Sequence, residues 1–124
     1  MTPRSILIAD DDDWVRRLLG MTLPGDEFEI VEARDGNEAL AIATGTRPLD
    51  LVLLDWRMPG ASGEDVLRAL KGARPEVPVI VLTGETAPSY RRVAETLGVD
   101  EFLTKPFSPL QLLDAVERLI GPAA

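Results

Sequence analysis

The feature that most constrains the fold is a repeated alternation of short apolar runs with longer amphipathic segments. Three runs are continuously apolar: 6–9 (ILIA), 51–54 (LVLL) and 79–82 (VIVL). Runs of this length between charged or turn residues are typical of strands buried on both faces. A run at 28–32 (FEIVE) alternates as an edge strand does, and 101–104 (EFLT) is a short fifth. The pattern predicts strands at about 5–9, 28–32, 50–54, 78–83 and 101–104.

The segments between and after these strands carry apolar residues at helical spacing. They predict helices at about 13–23, 36–45, 62–71, 88–97 and 108–120. We expect Asp13 to cap the first helix and Ser62 the third, while Ser108 followed by Pro109 begins the last. Gly98 lies where the fourth helix ends, a position that favours glycine.

Strict alternation of strand and helix predicts one domain over residues 1–124, with helices on both faces of a parallel sheet. The expected class is α/β, a flavodoxin-like doubly wound (βα)5 fold with a five-stranded parallel sheet in the order 2-1-3-4-5. In this architecture ligands bind outside the carboxyl ends of the strands, where the strand order reverses. Functional residues should therefore follow the first and third strands.

Composition excludes several kinds of function. Cysteine and histidine are both absent, which removes disulfides, thiol chemistry and a phosphohistidine relay on this chain. The formal net charge of -8 argues against direct nucleic-acid binding, because phosphate contacts need a basic surface. The chain has no apolar run long enough to span a membrane and no secretory signal at its start. We expect a cytoplasmic protein without direct nucleic-acid or membrane partners.

Polar residues follow the central strands of the predicted sheet. Asp10 and Asp11 follow the first strand, Asp55 the third, Thr83 the fourth and Lys105 the fifth. Carboxylates about 4 Å apart repel by about 4 kcal/mol at an effective dielectric of about 20, so a cluster of three needs a cation. Mg²⁺ favours carboxylate oxygens, waters and an incoming phosphate. With a lysine and a hydroxyl nearby, the set predicts a phosphoryl-transfer site with a carboxylate nucleophile.

Four stretches in this order, ILIADDDDWVRRLL, LVLLDWRMPGASG, VIVLTGE and DEFLTKPF, resemble the response-regulator receiver domain of bacterial two-component signalling. The resemblance covers essentially the whole chain. It implies a signalling phosphoacceptor, not an enzyme, that assists its own phosphorylation and autodephosphorylation. The phosphodonor would be a histidine kinase, a histidine phosphotransfer protein or a small molecule such as acetyl phosphate. Phosphorylation would switch the surface of the fourth helix, fifth strand and fifth helix, which binds an effector or a linked output domain or forms a phosphorylation-dependent dimer.

The same resemblance implies a phosphoacceptor and a metal site. Asp55 would be phosphorylated. Asp11, Asp55 and the backbone carbonyl of Arg57 would bind Mg²⁺ directly, with Mn²⁺ as an acceptable substitute. Asp10 would bind the metal largely through water.

It further implies a set of residues that hold the phosphoryl group and respond to it. Thr83 and Lys105 would contact the phosphoryl oxygens. Phe102 would swing inward when Thr83 closes on the phosphoryl group. The peptide bond between Lys105 and Pro106 would be cis.

Several residues are expected at the rim of the pocket. Arg57 and Glu85 have opposite charges, and we predict that they pair across the entrance and slow the attack of water. Gly84 should leave room for access to the phosphoacceptor. Trp14 and Trp56 should be partly exposed beside the site.

Three alternatives are open at this point. A degenerate receiver could act as a phosphorylation-independent binding module, although the set of acidic, hydroxyl and lysine residues is complete. Phosphatases with a nucleophilic aspartate typically carry a second acid two residues later, where this chain has Arg57. A transcription factor would need a DNA-binding segment, which these residues do not supply. The residues 121–124 (GPAA) fit either a stand-alone receiver or the N-terminal piece of a longer protein.

Overall fold

Strands and helices alternate along the chain in a computed structural model that describes residues 3–84 and 88–121. The strands are β1 (Arg4–Ala9), β2 (Phe28–Ala33), β3 (Leu51–Asp55), β4 (Val79–Thr83) and β5 (Glu101–Thr104). The helices are α1 (Asp13–Thr22), α2 (Gly36–Thr44), α3 (Gly63–Ala73), α4 (Pro88–Thr96) and α5 (Pro109–Ile120). These bounds differ from the predicted ones by no more than about two residues at either end.

The strands form one parallel sheet in the order β2-β1-β3-β4-β5. The predicted fold class and strand order are therefore confirmed. Every residue of β3 and of β4 is buried, as their continuously apolar sequences require. Strand β2 combines buried residues with the exposed Glu29 and Glu32, as befits an edge strand. None of the helices in the described part of the chain is both long and apolar enough to cross a membrane.

Successive residues of each strand pack on opposite faces of the sheet. Leu53 and Leu82 lie in a cluster with buried residues of α1 and α5. Leu54 and Val81 lie in a second cluster, with buried residues of α2, α3 and α4. The two clusters form a hydrophobic core on each face of the sheet. The face on which a side chain at a strand end lies therefore determines which helices it can contact.

Two of the predicted helix caps are confirmed. The hydroxyls of Ser62 and Ser108 each accept a hydrogen bond from a backbone N–H three residues later, and in both caps the side chain of that later residue accepts a hydrogen bond from the serine's own N–H. The φ angle of Gly98 is +94°, a value that favours glycine after the end of α4.

The predicted cap of the first helix is wrong by one residue. Asp12, not Asp13, is the N-cap, and its carboxylate accepts hydrogen bonds from the backbone N–H groups of Trp14 at 2.9 Å and Val15 at 3.4 Å. The backbone of Asp12 is extended, and its own N–H donates to the carboxylate of Asp10 at 3.0 Å. The helix consequently begins at Asp13.

The turn between β3 and α3 is held against the start of α2. The backbone N–H of Gly36 donates to the carbonyl of Pro59 at 3.0 Å, and a Cβ at Gly36 would lie 1.5 Å from the carbonyl oxygen of Ala61. Asn37 accepts a hydrogen bond from the backbone N–H of Ala61 at 3.1 Å. Only glycine permits this close approach. The contact fixes the turn that follows the last residue of β3.

Candidate functional site

Three carboxylates meet at the carboxyl ends of β1 and β3, and we call this group, Asp10, Asp11 and Asp55, the acidic corner. One oxygen from each side chain lies within 4.8 Å of the others. Asp10 is fully buried, Asp55 is 7% exposed and Asp11 is exposed. Asp55 is the last residue of β3, and Asp10 and Asp11 directly follow the neighbouring β1. Carboxylate oxygens at this spacing, with one side open to solvent, can share a divalent cation.

Lys105 reaches the acidic corner from the end of β5. Its Nζ donates to Oδ2 of Asp10 at 2.9 Å and lies 3.6 Å from Oδ2 of Asp55. Burial disfavours the ammonium, but the hydrogen bond to Asp10 and the charges of both carboxylates together raise the pKa of Lys105 above its ordinary value. The peptide bond from Lys105 to Pro106 is cis. One ammonium does not neutralise three carboxylates, so the site still favours a cation.

The environment of Asp55 opposes its ionisation in the metal-free protein. Burial raises the pKa of the Asp55 carboxyl most, and the negative charge of Asp10 raises it further. Lys105 and the backbone N–H of Arg57, which donates to Oδ1 at 3.4 Å, lower it, and the resulting pKa is about 7. A divalent cation would favour the carboxylate form, because opposite charge nearby lowers an acid's pKa.

Arg16 fixes the backbone of the acidic corner and was missed by the sequence analysis. This arginine is only 6% exposed. Its Nη1 donates to the backbone carbonyl of Asp10 at 2.6 Å, and its Nε donates to Glu32 at 3.2 Å. Its remaining terminal nitrogen contacts Asp13. The arginine therefore ties the end of β1 to the end of β2.

The available signal for Arg16 was its spacing. Arg16, Leu19 and Leu23 lie at helical intervals, and all three are buried. Leu18, which precedes Leu19 in the sequence, is 42% exposed and lies off this buried face. A buried charged side chain needs polar partners. An arginine on the buried face of a helix is therefore a candidate to bind backbone carbonyls, here those at the end of the preceding strand.

Thr83 lies at the end of β4 and contacts a tyrosine of α4. The side chain of Thr83 is buried, and its Oγ1 accepts a hydrogen bond from the hydroxyl of Tyr90 at 3.0 Å. The ring of Tyr90 also packs on Trp56, with centroids 5.8 Å apart and planes tilted by 30°. No sequence pattern pairs a helix tyrosine with a strand-end threonine, because that contact depends on how α4 packs.

Phe102 is half-buried in β5, and the guanidinium of Arg91 lies 4.6 Å above its ring. We call Thr83, Trp56, Tyr90 and Phe102 together the aromatic side of the site. Trp56 is half-buried, whereas Trp14 on α1 is 67% exposed.

The predicted rim is described only in part. Arg57 and Gly84 are exposed, and a Cβ at Gly84 would meet no atom within 4 Å. Glu85 lies outside the described residues. The ion pair between Arg57 and Glu85 therefore stays a prediction, as does the access role of Gly84.

Comparison with known proteins identifies the family. The sequence profile of the response regulator receiver domain matches residues 6–117. The chain belongs to this family. It is the receiver domain of a two-component response regulator, as the four sequence stretches predicted.

The curated relatives of this receiver domain include transcriptional regulators. The phosphate regulon transcriptional regulatory protein PhoB of Pseudomonas aeruginosa is 36% identical over 98% of this chain and 55% of its own length. The probable transcriptional regulatory protein TcrX of Mycobacterium tuberculosis is 39% identical over 86% of this chain and 45% of its own length. The receiver domain thus spans about half the length of these relatives.

Solved structures of the family superpose closely on this receiver domain. The chemotaxis response regulator CheY4 of Vibrio cholerae matches with a TM-score of 0.85 at 32% identity, covering 95% of this chain and 99% of its own. The receiver domain of a sensor histidine kinase from Pseudomonas aeruginosa matches with a TM-score of 0.85 at 25% identity, covering 97% of this chain and 99% of its own. The latter structure has a magnesium ion coordinated in its active site cleft.

Proposed function

We propose that this receiver domain accepts a phosphoryl group on Asp55 in the presence of Mg²⁺ and transmits the change to the surface formed by α4, β5 and α5. The observation that supports the proposal is the acidic corner with Lys105 beside it. Asp10 is fully buried and accepts a hydrogen bond from Lys105 at 2.9 Å, whereas Asp55 is 7% exposed and its Oδ2 lies 3.6 Å from the same ammonium, so Asp55 is the more accessible of the two buried carboxylates. A carboxylate placed this way can act as a nucleophile toward phosphorus.

The residues at the corner fit a hard divalent cation. The donor set consists of oxygens, with two buried carboxylates and one exposed carboxylate that water can reach. In the proposed site Asp11, Asp55 and the backbone carbonyl of Arg57 would hold Mg²⁺ directly, and Asp10 would hold it mainly through water. When bound, the ion offsets the carboxylate charges and the charge on the transferred group. Mn²⁺, which also accepts oxygen ligands, is an acceptable substitute.

The transfer step forms one bond and breaks one bond. A carboxylate oxygen of Asp55 attacks the phosphorus of a phosphohistidine or of acetyl phosphate. The bond from phosphorus to the donor's nitrogen or oxygen breaks, and that atom leaves with the electron pair. Lys105, 3.6 Å from Asp55, holds an oxygen of the transferred group. Attack of water on the phosphorus of the resulting acyl phosphate returns the Asp55 carboxylate and releases inorganic phosphate.

The proposed output is a shift between two conformations. Thr83 moves toward the phosphoryl group, and Phe102 turns inward. The phosphoryl group shifts the equilibrium toward this conformation only to the extent that it interacts more favourably with this conformation than with the resting one. The partners proposed for the protein are a histidine kinase or histidine phosphotransfer protein upstream, and an effector protein or a linked output domain downstream. The names of the transcriptional relatives support an output domain in the longer proteins.

The test is an intact-mass measurement after incubation with acetyl phosphate and Mg²⁺. We expect the wild-type protein to gain the mass of one phosphoryl group, and Asp55→Asn or the addition of a chelator to prevent the gain. Asp26→Asn is the matched control, because Asp26 is an exposed aspartate that precedes β2 at the opposite edge of the sheet. An unlabelled wild-type protein, with acetyl phosphate and with phosphorylated histidine kinases alike, would instead support the phosphorylation-independent binding module.

A further inference from the structure

Asp55 and Thr83 stand at the ends of neighbouring strands, but strand alternation directs them to different faces of the sheet. Asp55 follows Leu54, which packs against α2, α3 and α4, so the side chain of Asp55 is directed toward the α1 and α5 side. Thr83 follows Leu82, which packs against α1 and α5, so the side chain of Thr83 is directed toward α4.

The contacts of the two residues agree with this placement. Asp55 lies near Lys105, which also contacts Asp10. The hydroxyl of Thr83 instead accepts a hydrogen bond from Tyr90 of α4. In the resting protein, therefore, the Thr83 hydroxyl is hydrogen-bonded on the α4 side of the sheet. In the proposed function the same hydroxyl contacts a phosphoryl oxygen on Asp55.

The donor of this hydrogen bond is held in place by its own packing. The ring of Tyr90 rests on Trp56, the residue directly after Asp55. Tyrosine has few rotatable bonds, so this contact orients its hydroxyl at little entropic cost. Trp56 is itself carried on the turn that α2 buttresses. Tyr90 thus reaches Thr83 with its ring packed on Trp56.

We propose that Tyr90 is a latch: its hydroxyl holds Thr83 on the α4 side, and this hydrogen bond breaks before Thr83 contacts a phosphoryl group on Asp55. The inference rests on the proposed function, and it assigns the resting state of the switch to a residue of α4. Movement of α4 and release of the Thr83 hydroxyl are then coupled, because Tyr90 is part of α4. A phosphoryl group on Asp55 then competes with Tyr90 for a single hydroxyl.

The latch predicts a specific gain of reactivity. Tyr90→Phe keeps the ring on Trp56 and removes only the hydroxyl. A neutral hydrogen bond contributes about 1 kcal/mol, which corresponds to about a fivefold change in a two-state equilibrium. We expect Tyr90→Phe to be phosphorylated by acetyl phosphate and Mg²⁺ up to about fivefold faster than wild type. The methyl NMR resonance of Thr83 in the unphosphorylated variant should move toward its position in the beryllofluoride complex.

A double-mutant cycle separates the latch from a structural role of Tyr90. In a Thr83→Ala background, adding Tyr90→Phe should leave the phosphorylation rate unchanged, because the acceptor of the hydrogen bond is already gone. In a Thr83→Ser background, which keeps a hydroxyl, the acceleration should return. A variant that reacts more slowly than wild type, or an equal acceleration in the Thr83→Ala background, overturns the latch.

The outcomes also distinguish the latch from the proposed function. If Asp55→Asn abolishes labelling while Tyr90→Phe reacts at the wild-type rate with an unshifted Thr83 resonance, the phosphoacceptor assignment holds and the latch is wrong. If Asp55→Asn is labelled as well as wild type, the phosphoacceptor assignment itself fails.

Discussion

The acidic corner and the aromatic side are built on the ends of the same parallel strands, yet they are held by opposite kinds of force. At the acidic corner, Asp10 and Asp55 are buried beside each other, and Lys105 is the cation that contacts both. On the aromatic side, Thr83 and Tyr90 share a neutral hydrogen bond. At the acidic corner, like charges repel each other. On the aromatic side, the hydroxyls of Thr83 and Tyr90 are paired in a hydrogen bond.

In the proposed function, this difference in strength separates the residues that bind from the residues that switch. Interactions between buried charges are worth several kcal/mol, so the corner can select a divalent cation and a phosphoryl group strongly. Hydrogen bonds and ring contacts between neutral groups are worth about 1 kcal/mol each. The aromatic side can therefore be rearranged by a modest part of the free energy that the corner supplies. A switch requires the resting contacts to be weaker than the interactions of the phosphoryl group, because stronger resting contacts would keep the protein in its resting conformation after phosphorylation.

The largest expected effect is at Lys105. Lys105→Met roughly keeps the length of the side chain and removes the charge that we propose holds a phosphoryl oxygen. We expect the rate of phosphorylation by acetyl phosphate to fall by roughly 10²-fold or more, as when one preorganised donor is lost from an active site. Mg²⁺ binding, measured by titration calorimetry, should instead become tighter, because a competing cation has left the carboxylates.

The matched control for Lys105 is Lys71, the other lysine in the sequence. Lys71 binds Asp100 and the carbonyl of Val77 away from the corner. Lys71→Met makes the same chemical change and should leave both the rate and the Mg²⁺ affinity as they are in wild type. Equal losses in the two variants would show that the effect of Lys105 arises from net charge or stability and not from its place at the corner.

The second expected effect is a pH-dependent instability of the metal-free corner. The pKa of Asp55 is about 7 in the folded protein and 3.8 ordinarily, chiefly because the carboxyl is buried and then because Asp10 is nearby. Between these values the unfolded chain loses the proton and the folded chain retains it, so stability falls as the pH rises and levels off above about 7. Asp55→Asn removes this loss. In urea melts with a chelator, the variant should exceed wild type by about 2–4 kcal/mol at pH 8, and by progressively less toward pH 4.

Asp26→Asn serves as the control for this measurement, since Asp26 is exposed and distant from the corner. Its stability relative to wild type should not vary with pH in the same way. If Asp55→Asn were less stable than wild type at pH 8 without metal, the crowding of carboxylates would not be the dominant property of the corner. Saturating Mg²⁺ should narrow the difference by stabilising wild type.

The acidic corner was predictable from the sequence, and the aromatic side was not. Parallel strands present their carboxyl ends at one edge of the sheet, so apolar runs ending in Asp10, Asp55 and Lys105 imply that these residues converge. The same rule places Thr83 at that edge. It depends only on strand direction and order, which the alternating pattern determines.

The contacts of helix residues require information that the pattern lacks. Whether Tyr90 reaches Thr83 depends on the rotation and tilt of α4, and periodicity alone gives only its apolar face. Arg16 was missed for a related reason: its spacing places it on the buried face of α1, but its partners, the Asp10 carbonyl and Glu32, are identified only by the tertiary arrangement. Among consecutive aspartates, the choice of Asp12 as the helix cap accompanies a local hydrogen bond from its N–H to Asp10, which the apolar pattern does not specify.

The smallest expected effect concerns Phe102 on the aromatic side. The guanidinium of Arg91 lies over the Phe102 ring, and a cation–π contact at such a site is worth about 0.5–1 kcal/mol. If Phe102 turns inward in the proposed active state, this contact is lost. Arg91→Met should then tighten the binding of beryllofluoride with Mg²⁺, a stand-in for the phosphoryl group, by about two- to fivefold. Arg92→Met, a neighbouring exposed arginine on α4, should not change it. Weaker binding in Arg91→Met would mean that Arg91 supports the active position of Phe102, and equal affinity would mean that Phe102 keeps its resting contact.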